Sequence, residues 1–404
     1  MKRSLFSLST LLALAILIAA SFAGAQQTPA QDRKLKGYFL TSKPNKPAHD
    51  LLLQRLKSPT AVNTTSVPLW PYGVSSAYDG NPYQGMMVGR SPIAHGHRTT
   101  TIPTVLVPLK MTFSDSGETF DASAANVCSP NGGSVASLIA ASPLFQPVAF
   151  TMNGTSVGTV QYLDGFQRGS FWNFVKGTPY HTVFTSSPTI HAPVSVTVAA
   201  AHGSTQLGFC SDFGEVDNAW FDAYVQSTIL PALAAEGWDS STFPQLLLDS
   251  VVQYENNDPN LCCVLGYHGS FTDAGNILHT YSLNDFDNSG AFGGDTSVMV
   301  HEIGEWMDDP DGGNPVPNWG AEGQVTAGNC QGNLEVGDPL SPNYPTPTNP
   351  YLVTMPNGVT YTLQELAFFN WFFGLSPNFG VGNDYSSHGT FTGHAAACPP
   401  GGTT

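Results

Sequence analysis

His301, Glu302 and Glu305 stand together in the run Ser297-Val298-Met299-Val300-His301-Glu302-Ile303-Gly304-Glu305-Trp306-Met307-Asp308-Asp309-Pro310. On a helix, His301 and Glu305 lie about 6 Å apart along the axis and about 40° apart around it, so both side chains can close on one cation. Glu302 falls on the adjacent flank. There a carboxylate can take a proton from an ion-bound water without occupying the ion itself. Composition does not explain the pattern: with 11 His and 9 Glu in the chain, His-Glu-x-x-Glu arises about 0.005 times in a shuffled sequence. Two carboxylates three positions apart on one helix share one wall of a cleft, which argues against a glycosidase pair flanking a bond.

The segment resembles the zincin metallopeptidases, whose helix carries His-Glu-x-x-His with two His ligands and a Glu base. The resemblance covers about fifteen residues, together with the helix-strands-helix order over 217–310. It implies His301 as first ligand and Glu302 as general base, and it sets Glu305 where the family has its second His. A Glu ligand is harder and negatively charged, so it weakens the Lewis acidity of the ion and moves preference from Zn²⁺ toward Mn²⁺ or Ca²⁺. Zinc is the first expectation, with manganese or calcium as alternatives. In zincins with a Glu ligand that third ligand lies some twenty or more residues downstream. Here that implies Glu335, in Asn333-Leu334-Glu335-Val336-Gly337-Asp338-Pro339, with Asp338 as its replacement or as a residue that orients a ligand. Asp309 and His268 are the remaining candidates. His268 follows an apolar run that would form the edge strand lining a zincin cleft, although a lone His is ordinarily a satisfied structural residue. Tyr385 and His388 are residue types that stabilise an oxyanion. A fainter likeness, carried by Cys262-Cys263-Val264-Leu265-Gly266-Tyr267-His268-Gly269-Ser270 and Asp309-Pro310, is to the plant exordium-type secreted proteins, and it implies an extracellular protein without catalysis.

The helix carrying this motif needs a start, a stop and a buried face. Asp295 or Thr296 can cap it, Val300, Ile303 and Met307 form an apolar stripe, and Pro310 ends it near Asp309. Upstream, Asp217 and Asn218 precede apolar positions 220, 221, 224, 228 and 229, which predicts an amphipathic helix kinked at Pro231. Short β-favouring runs occur at 105–109, 147–150, 158–163 and 194–198, and again at 246–252, 262–267 and 277–281. A capping box at Thr362 and Glu365 predicts a last helix through the aromatic run 368–373 to Gly374.

The chain has 404 residues, 41% hydrophobic and only 11% charged, with 41 Gly and 31 Pro. That is enough apolar material for a sizeable core in a turn-rich chain. Its net charge of −16 opposes phosphate neutralisation and excludes nucleic acid as an expected partner. Lys2 and Arg3, an apolar run over 5–22 and Ala23-Gly24-Ala25 read as a signal peptide over 1–25. The mature chain is therefore expected to be secreted, extracellular or periplasmic, with no membrane association after cleavage. Six cysteines, Cys128, Cys210, Cys262, Cys263, Cys330 and Cys398, fit three disulfides in an exported chain. Neighbouring Cys262 and Cys263 are each expected to reach a distant partner. Residues 26–100 are polar, Pro-rich and carry Arg33-Lys34, as in an arm or propeptide.

The resulting expectation is an α+β chain: a β-rich region over 101–210 and a zincin-like metal-binding α/β half over 211–404. Its expected function is a secreted metallopeptidase acting on a peptide or protein substrate. The alternative is a non-catalytic, metal-stabilised extracellular binding or cell-wall-associated protein.

Overall fold

The computed structural model describes residues 37–40, 46–57, 66–94, 98–275, 277–293, 295–320, 331–340 and 350–393. The expected signal peptide, the Arg33-Lys34 pair, Cys330 and Cys398 lie outside them. Among the described residues no helix is long and apolar enough to cross a membrane. The architecture is mixed α+β.

An 11-stranded sheet organises it. In chain order its strands are β1 (Tyr38–Phe39), β2 (Thr104–Phe113), β3 (Thr119–Asp121), β4 (Thr189–Ile190), β5 (Val194–Val198), β6 (Gly203–Gln206), β7 (Phe213–Asp217), β8 (Phe243–Asp249), β9 (Val251–Tyr254), β10 (Cys262–Thr272) and β11 (Leu278–Phe286). Across the sheet they run β4-β2-β8-β11-β10-β9-β7-β6, with β3 and β5 also on β2 and β1 on β10. Strands from both halves of the sequence thus share one sheet. β2, β8 and β11 are parallel neighbours, whereas β10 is antiparallel to β11 and β9.

Period-2 alternation sends successive side chains to opposite faces, so central strands covered on both sides read as continuous apolar runs. Val105, Val107, Leu246 and Leu248 pack with Phe221, Val225, Ile229 and Leu233 of the 218–235 helical segment. Leu106 and Leu247 pack on the other face with Met299, Val300, Ile303 and Trp306 of the Thr296–Asp308 helix. The predicted stripe is buried, and so is every other residue of this helix, the His301–Glu305 face included. Gly266 on β10 permits this approach, because a Cβ there would lie 2.8 Å from Val298 Cγ1 and 3.1 Å from Glu302 Cγ. Pro231 is accommodated without ending its helix: a π-helical turn, Val225–Ile229, precedes it, a local widening that tolerates an interrupted hydrogen-bond ladder.

Two expectations are corrected. The last helix is only Phe369–Phe372, and the expected capping box is instead strand Thr360–Gln364, paired antiparallel with Pro350–Thr354. The Thr362 N–H that Glu365 would have capped donates to Asp295 Oδ2 at 3.0 Å. Glu365 instead accepts from Ser386 Oγ and Thr390 Oγ1 and from the N–H groups of His388 and Thr390. The second correction concerns cysteine. Cys262 and Cys263 are bonded to each other across a cis peptide, their Cα atoms 3.0 Å apart and so within reach of one bond. Cys128 joins Cys210.

Candidate metal centre

Asp295 caps the 296–308 helix by accepting from the Ser297 N–H at 3.2 Å. The helix stops where its last N–H, that of Asp309, reaches the Glu305 carbonyl at 2.6 Å ahead of Pro310. Between these ends His301, Glu302 and Glu305 point into the interior, all at most 1% exposed. His301 Nε2 lies 3.1 Å from Glu305 Oε1 and 3.4 Å from Asp338 Oδ1. Asp338 arrives on the short helical turn Asp338–Leu340. The Gly337 and Asp338 N–H groups donate to Glu305 Oε1 at 3.2 and 3.1 Å, which pins this segment to the helix. A Cβ at Gly337 would meet the His301 ring at 2.5 Å, so only glycine fits there.

The ring of His301 has a definite orientation. Gln364 Nε2 donates to the Gly337 carbonyl at 2.7 Å, an atom that only accepts, so Gln364 Oε1 must face His301 Nδ1, 3.1 Å away. His301 Nδ1–H is therefore the donor and Nε2 faces the carboxylates; burial opposes protonation of the ring, but Glu305 and Asp338 hold it well above its ordinary value. His268 follows the same logic: its Nε2 donates to the Asp309 carbonyl at 3.1 Å, and Nδ1 lies 3.6 Å from Glu302 Oε2 and 3.8 Å from Glu305 Oε2. Burial pushes His268 down to about 3, which keeps it neutral. A buried His whose second ring nitrogen is hydrogen-bonded to a carbonyl or amide oxygen is the usual presentation of a metal ligand.

The acids are poorly matched to a metal-free interior. Burial pushes the Glu302 carboxyl well above the usual range, opposed by His301 and reinforced by Glu305 and Asp338. Burial, with Glu305 next in weight, does the same to Glu335. Among the described residues no donor reaches either oxygen of Glu302 or of Glu335. Buried polar atoms are nearly always satisfied, and imidazole plus carboxylate is the donor set of Zn²⁺ or Mn²⁺, so these residues fit a divalent ion.

The expected residues are placed as follows. His301, Glu305 and Asp338 form one potential ligand group, and His268, Glu302 and Glu305 form another. Glu335 is wholly buried beside them, within electrostatic reach of Glu305, Asp338 and Glu302, but belongs to neither group. Asp309 is engaged elsewhere, both its oxygens accepting from the Asn314 N–H at 3.0 Å. Tyr385 donates to the Leu375 carbonyl and His388 Nε2 is 3.2 Å from the Tyr162 hydroxyl, so both are engaged away from the 296–308 helix. Two contributors escape sequence reading. Phe39 stacks on the His301 ring, centroids 3.6 Å apart and 13° from parallel. Gln364 sits in a stretch that reads as a helix start, and its partners become adjacent only in the folded chain.

Comparison with known proteins adds no family assignment: no family model matches the chain, and no curated protein or solved structure matches it.

Proposed function

We propose that this chain is a secreted metal-dependent hydrolase, most simply a peptidase of zincin-like character. The observation that carries this reading is the convergence of His301 Nε2, Glu305 Oε1 and Asp338 Oδ1 beside Glu302, a buried carboxylate that no donor reaches among the described residues. A bound divalent ion supplies Lewis acidity toward a carbonyl and lowers the pKa of a bound water. The protein's own contribution is positional. Gln364 fixes the His301 ring, the Gly337 and Asp338 N–H groups fix Glu305, and Glu302 is the proton acceptor one flank away. The resemblance to the zincin motif supports the same roles.

A non-catalytic reading draws support from a different observation. Every residue of the centre is buried, and β1 covers it with Phe39. A cavity of about 180 Å³ reaches His268 from outside, with Leu40 in its wall. On that reading the ion ties the helix to the 331–340 segment and no substrate enters.

One experiment separates the two: ion content and hydrolysis of an unstructured protein substrate, before and after chelation, with Glu302→Gln alongside. Hydrolysis that chelation abolishes and that Glu302→Gln lowers by about 10²-fold or more supports the peptidase. Bound metal with stability lost on chelation and no turnover supports the structural ion. A chain that binds no divalent metal refutes both.

A further inference from the structure

The two ligand groups share one side chain, and they share it through different atoms. Glu305 Oε1 faces His301 Nε2 at 3.1 Å, with Asp338 Oδ1 3.4 Å from the same nitrogen. Glu305 Oε2 faces His268 Nδ1 at 3.8 Å, with Glu302 Oε2 3.6 Å from that nitrogen. Donors around one ion with bonds of about 2.1 Å stand roughly 3 to 4 Å apart. In each group the carboxylate oxygens lie 3.1 to 3.8 Å from the histidine nitrogen, and all candidate atoms lie within 4.8 Å of one another.

Burial points the same way. Glu302, Glu305, Glu335 and Asp338 are all at most 3% exposed, and Glu302, Glu305 and Asp338 each lie within 4 Å of a histidine ring nitrogen. His268 and His301 each commit one ring nitrogen to an oxygen and turn the other toward the carboxylates. Buried charge must be compensated. The oxygens of Glu302 and Glu335 that no donor reaches among the described residues are the second, independent sign that cations belong here.

We propose that the centre binds two divalent metal ions bridged by the Glu305 carboxylate. His301 and Asp338 complete the first site, His268 and Glu302 complete the second, and Glu335 contributes charge beside both. Carboxylate-bridged pairs of this kind hold their ions about 3.5–4 Å apart and clamp both sides of a displaced bond. In this arrangement Glu302 binds through Oε2 and keeps Oε1 for proton transfer. The inference rests on the metal-binding part of the proposed function, and not on peptide hydrolysis.

The test is stoichiometry and magnetic coupling in the full chain, with Zn²⁺ and Mn²⁺ as probes. Calorimetric titration should saturate at two ions per chain. His268→Ala and Asp338→Ala should each bind one, and Glu305→Ala should lose at least tenfold in affinity at both sites. Circular dichroism identifies any variant that fails to fold. The wild-type chain loaded with two equivalents of Mn²⁺ supplies the readout that needs no variant: an exchange-coupled multiline resonance is expected. Saturation at one ion, or two ions with uncoupled six-line spectra, overturns the proposal. Two coupled ions without peptide hydrolysis leave it standing and remove the peptidase. Hydrolysis by a chain holding one ion removes the two-ion centre and leaves the peptidase.

Discussion

Gln364 shows how much of the site depends on single contacts outside the motif. It accepts from His301 Nδ1 and holds Gly337 through its amide, so it sets both the ring orientation of one candidate ligand and the position of the segment carrying another. Gln364→Leu is expected to weaken metal affinity by about 10–100-fold, the usual effect of losing a ligand's hydrogen-bond partner, and competition with a chelating dye measures it. Asp308, three residues past Glu305, has a different role. Burial pushes its carboxyl up to about 7, against Gln167, which donates to it. Because the folded value is raised, its stabilising contribution is complete below the unfolded value of about 4 and is lost as pH rises toward 7. Asp308→Asn should therefore remove part of the fall in stability between about pH 4 and 7, by up to roughly 4 kcal/mol at pH 8. Urea unfolding at several pH values reads this directly, and an unchanged pH profile counts against it.

At the scale of elements, the centre is a junction of four pieces. The 296–308 helix supplies three residues, β10 supplies His268, the 331–340 segment supplies Asp338 and strand Thr360–Gln364 supplies the orienting amide. β1 closes the assembly. It pairs with β10 through Tyr38 and Phe39, and Tyr38 donates to Glu255 Oε2 at 2.7 Å. A two-residue strand is a short attachment, so the stacked Phe39 ring accounts for much of what shields His301. Phe39→Ala should speed transfer of bound metal to a chelator by about tenfold, since local opening that exposes a site becomes easier when few apolar contacts oppose it. Stopped-flow transfer to a chromophoric chelator measures the rate; a rate equal to wild type would show that β1 does not limit access.

For the whole molecule, the sheet and its two covering layers build a scaffold on which one face carries the site. The Cys128–Cys210 bond closes a separation of 82 residues. A loop of that length contributes about 4.5 kcal/mol in the chain-entropy account. The bond lies in the β2–β7 part of the chain, apart from the helix and strands that hold the ligands, so Cys128→Ala with Cys210→Ala should lower the thermal midpoint by several degrees while leaving ion content unchanged. Loss of the ions together with the disulfide would show that the two parts fold as one cooperative unit.

Local chemistry made some of this legible in the sequence. The site helix has a capping Asp295, a stripe at 300, 303 and 307 and a stop before Pro310, all set by neighbours within one or two turns, and the helix runs Thr296–Asp308. His301, Glu302 and Glu305 fall together because helical spacing alone brings them together. The β-favouring runs at 105–109 and 194–198 likewise lie in strands. Segments whose partners are remote in sequence were decided by tertiary structure. A capping box at 362–365 became a strand because Asp295 took the Thr362 N–H and Glu365 was claimed by residues 386–390. Cys262 and Cys263 are bonded to each other, a pairing that the spacing of the six cysteines did not point to. His268, which reads alone as a structural histidine, joined Glu302 and Glu305 because β10 runs under the site helix at Gly266. Which carboxylates surround His301 is a property of packing: Asp338, not Glu335, reaches it because two N–H groups on its own turn hold Glu305 in place.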